Sequence, residues 1–129
     1  MKKILFLVTF FGSVLCSTLF SQEKAAVEMA FQKSNASLLV SQLSSQVTYI
    51  YGSVNESYSK SNFISVFSQF LRENPPKSLE IIHEGSRADT RFVIYALTSA
   101  HGTYRVHLFY KKINNQYLIN QVRIEDSNG

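Results

Sequence analysis

Residues 102–125 read GTYRVHLFYKKINNQYLINQVRIE, two β-type runs on either side of Asn114-Asn115. No other stretch constrains the chain as tightly, because side chains alternate faces along a strand and a slip of one residue exchanges the two faces. The even positions of the first run are Tyr104, Val106, Leu108 and Tyr110, and the odd ones are Thr103, Arg105, His107, Phe109 and Lys111. In the second run the even positions are Leu118, Asn120, Val122 and Ile124, and the odd ones are Tyr117, Ile119, Gln121, Arg123 and Glu125. Both even sets form one apolar face only if the connection holds an odd number of residues. Asparagine tolerates the left-handed backbone of a tight reversal. A two-residue Asn114-Asn115 turn, however, sets Val106 against Arg123 and Arg105 against Ile124. The parity predicts a three- or five-residue loop, or a bulge. Arg105, His107, Arg123 and Glu125 then gather on the odd face with Phe109 and Ile119. That is the one mixed polar and aromatic constellation here that is suited to line a pocket.

The remaining segments read as cover for the apolar face. In residues 23–33, Ala26, Val27, Ala30 and Phe31 fall at helical spacing. Asn35 is a helix cap for a second short helix carrying Leu38, Leu39 and Leu43. Residues 47–51 are a strand, Gly52-Ser53 a turn, and residues 54–58 a shorter strand. Ser59 caps a third helix with Phe63, Ile64, Phe67, Phe70 and Leu71 on one stripe, a spacing that suits core packing. Pro75-Pro76 stop it, since the residue before a proline is pushed out of the helical region. From Lys77 onward the pattern is β: Leu79, Ile81 and His83 alternate with Glu80, Ile82 and Glu84. A polar turn over residues 85–90 and a strand over residues 91–98 come before the final hairpin. The order is helix, helix, two short strands, helix, four longer strands. Apolar residues on both faces of 91–98 fit burial on two sides, by core or by a second copy.

The N-terminus has a separate function. Met1-Lys2-Lys3, an apolar run over residues 4–11 and smaller residues up to Ser21 have the layout of a secretory signal peptide. The apolar run is too short for a membrane span. Residues 1–21 are read as leader, cleaved after Ser21 or alternatively near Cys16 or Ser17, and residues 22–129 as one domain, exported to the periplasm or beyond. Cys16 is the only cysteine; with the leader removed, disulfides, thiol chemistry and cysteine-based metal sites drop out. The 13 basic residues fall to 11 without Lys2 and Lys3, against 9 acidic ones. That balance and the lack of a basic stripe argue against nucleic acid. The three histidines lack metal-ligand spacing, and neither a phosphate-cradling glycine loop nor a nucleophile elbow is present. No cofactor is expected.

The element order with an exported start resembles the nuclear transport factor 2-like and cystatin-like superfamily. More narrowly, Asn74-Pro75-Pro76-Lys77-Ser78, the His83-x-Gly85 step, Gly102-Thr103-Tyr104-Arg105-Val106, and Tyr117-Leu118-Ile119 through Arg123-Ile124-Glu125 are similar to an uncharacterised family of small secreted bacterial proteins. The resemblance implies an α+β fold: a curved mixed, largely antiparallel sheet wrapped around helices as a cone, in the order α-α-β-β-α-β-β-β-β. It also implies that a ligand or active site, where there is one, lies at the mouth of the cone on the inner sheet face. Arg105, His107, Arg123 and Glu125 are the candidate binding residues there, joined by Tyr49, Tyr51 and Tyr95.

Two arginines can hold a carboxylate or phosphate in bidentate fashion. A carboxylate beside a histidine suits general acid–base work. Arg105 and Glu125 are equally natural cross-strand scaffold partners. The expectation is a non-enzymatic exported module that binds a small ligand or an envelope partner, with self-pairing through the outer sheet face as a further state. The alternative is a lyase, isomerase or hydrolase using His107 with Glu125 or a tyrosine. Intact mass spectrometry of the exported product should place its N-terminus at Gln22; a product retaining residues 1–21 would contradict the leader.

Overall fold

The structure, a computed structural model, describes residues 20–127. Apart from Phe20 and Ser21, the expected leader lies outside the described residues. Helix α1 (residues 20–32) buries Val27, Ala30 and Phe31 on one stripe. It closes with Ser34 in the left-handed region (φ 50°). The Asn35 amide bonds back to the Ala30 carbonyl at 2.8 Å and the Ser34 amide to that of Phe31 at 3.1 Å, which satisfies the helix's terminal acceptors.

The second helix is a 3-10 helix, Ala36–Gln42, capped as expected by Asn35, whose side chain accepts from the Ser37 amide at 3.1 Å. Its tighter winding changes which residues are buried. Three residues per turn put Ala36, Leu39 and Gln42 in line, and those are the buried ones. Leu38, expected in the core, is exposed, and Leu43 opens strand β1 (Leu43–Tyr51) instead of ending the helix.

Strand β2 (Val54–Ser59) returns after a two-residue turn, and Ser59 caps α2 (Lys60–Glu73) by accepting from the Asn62 amide at 3.4 Å. The stripe is as expected, with Phe63, Phe67, Phe70 and Leu71 buried. Phe63 stacks on Phe67 at 5.4 Å and Phe67 on Phe70 at 6.0 Å. The row meets Tyr49 (5.9 Å from Phe63), Tyr51 (5.1 Å from Phe70) and Tyr104 (5.5 Å from Phe70) edge-on. These offset and edge contacts are the favoured arrangements of aromatic quadrupoles.

Four long strands follow: β3 (Pro76–Arg87), β4 (Thr90–Ser99), β5 (Gly102–Ile113) and β6 (Gln116–Asp126). The sheet order is β2-β1-β6-β5-β4-β3, with β1 parallel to β6 and every other pair antiparallel. The architecture is the expected α+β mixed sheet with helices on one face, in the expected order. Pro76 is tolerated because β3 is an edge strand. The turn after β3 is only Ala88-Asp89, so the expected polar loop over residues 85–90 is mostly strand. An extra residue, Ile82, sits between the pairs Ile81↔Tyr95 and His83↔Ile94. It moves His83 to the face opposite Leu79 and Ile81, whereas strict alternation put all three together.

The final hairpin resolves its parity by a bulge. The turn is the two-residue Asn114-Asn115, both left-handed (φ 52° and 64°), between Ile113 and Gln116. Neither a three- nor a five-residue loop forms. Asn120 is skipped between the pairs Tyr110↔Ile119 and Phe109↔Gln121, which restores Leu108↔Val122, His107↔Arg123, Val106↔Ile124 and Arg105↔Glu125. The same bulge moves Ile119 to the helix-covered face, where it is fully buried, and away from the polar face assigned to it by alternation.

Asn74 ends α2 and joins it to β5: its amide nitrogen donates to the Phe70 carbonyl at 3.1 Å, and its side-chain oxygen accepts from the buried Tyr104 hydroxyl at 2.7 Å. Tyr104→Phe should cost about 1–3 kcal/mol by leaving that buried oxygen unpaired. Tyr117→Phe, whose hydroxyl makes only a 3.5 Å exposed contact to Ala88, should be near neutral. Paired urea melts check both, and equal midpoints would remove the Tyr104–Asn74 bond from the account.

Candidate functional site

Register brings the four sequence-derived residues together. Arg105 lies opposite Glu125 and His107 opposite Arg123, all on the sheet face turned away from α1 and α2. Arg123 Nη2 is 2.8 Å from Glu125 Oε1, and His107 Nε2 is 3.5 Å from Glu125 Oε2. The first distance is a charge-assisted hydrogen bond. The second is an electrostatic contact too long to be one, and Nε2, shielded from solvent, has no hydrogen-bond partner among the described residues. The side chains of Arg123 and Glu125 are 48% and 38% exposed. Tyr49 and Tyr95 do not join this group: they are buried on the opposite, helix-covered face, and Tyr51 lies on that face with them.

Beside the quartet the uncovered face dips. An open depression of ≈ 510 Å³ is lined by Arg87, Phe92, Phe109, Lys111, Asn120 and Gln121, with Thr90, Arg91 and Tyr110 at its floor and rim. The bulge shapes it, since Asn120 is the unpaired residue, and its side-chain oxygen is shielded without a hydrogen-bond partner. His107 stacks on Phe109 (6.2 Å, 14° between rings), and His83 lies against Phe92 at 5.4 Å. Gly85 faces Phe92 across β3 and β4. A β-carbon there would fall 2.7 Å from the Phe92 ring, so glycine lets the ring lie flat on the strand. The lining holds basic and aromatic groups and no carboxylate. Alternation had pointed to His107 and Phe109, but not to the depression, because the sequence carries no marker of which residue a bulge will skip.

On the helix-covered face a second group lies under α1. The hydroxyls of Tyr95 and Tyr110 are buried and have no hydrogen-bond partner among the described residues, and burial pushes both well above the usual phenol range. Lys24 bridges α1 to β3 through Glu84 at 3.2 Å. Arg91 lies over the rings of Tyr117 (4.0 Å) and Phe20 (4.5 Å). Burial raises the Glu23 carboxyl above its ordinary value, and the Arg91 guanidinium offsets part of that. Smaller cavities open along α1: ≈ 260 Å³ beside Glu28, Phe31 and Leu79, and ≈ 230 Å³ beside Glu23, Gln42 and Tyr117. Among the described residues no cluster of three or more His, Cys, Asp or Glu could hold a metal ion, and no helix is long and apolar enough to cross a membrane.

The profile of a domain of unknown function, DUF4783, matches residues 24–125. A solved DUF4783 protein from Bacteroides ovatus is 30% identical with a TM-score of 0.76, over 81% of this chain and 96% of its own. One from Bacteroides fragilis is 32% identical with a TM-score of 0.74, over 79% of this chain and 96% of its own. An NTF2-like protein of unknown function from Shewanella baltica shares the fold at 8% identity and a TM-score of 0.66, over 90% of this chain and 97% of its own. No curated protein matches the chain.

Glu23 generates a pH-dependent prediction. A carboxyl whose folded pKa is raised favours the fold in its protonated form, so its contribution is most favourable at acid pH and declines as pH rises through the raised value. Glu23→Gln removes the cost of burying the charge. The variant should melt higher than wild type at neutral pH, with the gap closing below about pH 4, where the unfolded carboxyl also protonates. A gap constant with pH would place the effect elsewhere.

Proposed function

The chain belongs to the DUF4783 family, a domain of unknown function with an NTF2-like fold, and on that premise we propose that it is an exported, non-enzymatic binding module for an acidic protein partner. The partner docks on the uncovered sheet face at the depression beside Arg105, His107, Arg123 and Glu125. One observation carries the reading: Phe92 and Phe109 lie together in an open depression whose charged lining is entirely basic. Aromatic and arginine side chains are the groups that anchor protein interfaces. A basic rim selects and steers a partner of opposite charge. A second copy of this chain is a poorer match, because a symmetric contact sets the same basic rim against itself.

The leader-like residues 1–21 support export. A small-ligand role under α2 has less support, since Phe63, Phe67, Phe70, Tyr49 and Tyr104 fill that part of the helix-covered face. The enzymatic alternative rests on the His107–Glu125 contact, but Glu125 is held by Arg123 and the pair lies on an open face. The Glu125 side chain is 38% exposed, so water reaches the carboxylate, and acid–base groups gain most of their effect where water is excluded.

The test is fluorescence anisotropy with a labelled peptide of alternating glutamate and phenylalanine. Arg87→Glu/Lys111→Glu should bind it at least tenfold more weakly than wild type, and added salt should weaken the wild-type complex. Binding unchanged by the charge reversal would overturn the reading. So would size-exclusion chromatography with light scattering that finds a wild-type dimer split by Phe109→Arg.

A further inference from the structure

Phe20 stands where the expected leader meets the folded domain, and it is half-buried against the core. Its ring lies edge-on to Tyr110, 6.3 Å between centroids and 78° between planes. The Arg91 guanidinium lies 4.5 Å and the Lys24 ammonium 4.9 Å from the ring centroid. A cavity of ≈ 190 Å³ adjoins it, lined by Phe20, Glu84, Gly85, Ser86, Arg91 and Phe92. The nearby Tyr110 and Tyr95 hydroxyls are buried without partners. An aromatic ring with two cations on it fills this place, and the ring belongs to the part of the chain that the leader reading removes.

We infer that cleavage after Ser21 withdraws Phe20 and opens a ring-sized slot at Arg91, Lys24 and Tyr110, in which the processed chain holds an uncharged aromatic ring from a ligand. Until then Phe20 plugs the slot. The inference rests on the export reading through the leader; its slot shares Arg91 and Phe92 with the docking depression, but Phe20, Lys24 and Glu84 belong to the slot alone. The chemistry of the occupant follows from what Phe20 leaves behind. Arg91 and Lys24 each lose a π-face. The volume of Phe20 adds to the ≈ 190 Å³ already open beside it. Glu84 pairs with Lys24, and Glu23 faces Arg91 electrostatically, so the charges around the slot are balanced and an anion gains little. A phenol can also offer a hydrogen bond to the unpartnered tyrosine hydroxyls.

The test compares a chain beginning at Gln22 with one beginning at Thr18, which keeps Phe20. Residues 24–125 carry the family match, and both chains contain them. The probe is p-cresol, followed by NMR. The shorter chain should bind it with shifts at Tyr110, Arg91 and Tyr117. The longer chain should bind about tenfold more weakly, the loss expected where an internal ring already occupies two cations. Phe20→Ala in the longer chain should restore binding. Arg91→Gln in the shorter one should lose about tenfold with its amide spectrum otherwise retained. Benzoate should bind more weakly than p-cresol. Equal p-cresol binding by the two chains, or none by the shorter one, overturns the inference. An exported product beginning at Thr18 also overturns it while leaving the export reading intact.

Discussion

The structure depends on the parity of one hairpin. Strand β5 offers Val106 and Leu108 to one side and Arg105, His107 and Phe109 to the other, and β6 must present its apolar residues to the same side. A two-residue asparagine turn is the tightest connection available, and its left-handed dihedrals suit the twist of the flanking strands. That turn alone would put arginines against isoleucine and valine. The skipped residue, Asn120, corrects the phase within the strand instead of within the loop. Burying a charged side chain in place of an aliphatic one costs far more than one irregular ladder step, so the register follows the apolar pattern.

With the phase set, the aromatic row of α2 closes the covered face. Phe63, Phe67 and Phe70 meet Tyr49, Tyr51 and Tyr104, and Asn74 ties the end of the helix to β5. Under α1 the covered face leaves the Tyr95 and Tyr110 hydroxyls without hydrogen-bond partners among the described residues. Among the described residues the other face has no helix. Its half-exposed rings and basic side chains are therefore left open, and both readings of function grow from these two places.

Much of this was legible in the residues. The α2 stripe, its Ser59 cap, its proline stop, the Asn35 cap and the pairing of Arg105 with Glu125 are local or parity properties, and each appears as expected. What was not legible depends on choices between near-equal local states. Leu38 was assigned to the core because a 3.6-residue period was assumed, and the 3-10 winding buries every third residue instead. Ile119 and His83 changed face because the bulges at Asn120 and Ile82 each shift the alternation by one. Register sets Arg105, His107, Arg123 and Glu125 together, but on the face the helices leave uncovered and not on the inner face expected of them, because strand alternation cannot say which face the helices will cover.

By itself the sequence determined the element order and the apolar stripe of α2, because those follow from periodicity and from the backbone preferences of proline, asparagine and serine. Only the tertiary structure decided where the phase errors are absorbed, which face stays open and which polar groups end up without partners. The physical reason is that bulges and turns differ by little locally. They are selected by the many buried contacts they bring into register, and that sum exists only once the strands and helices have met.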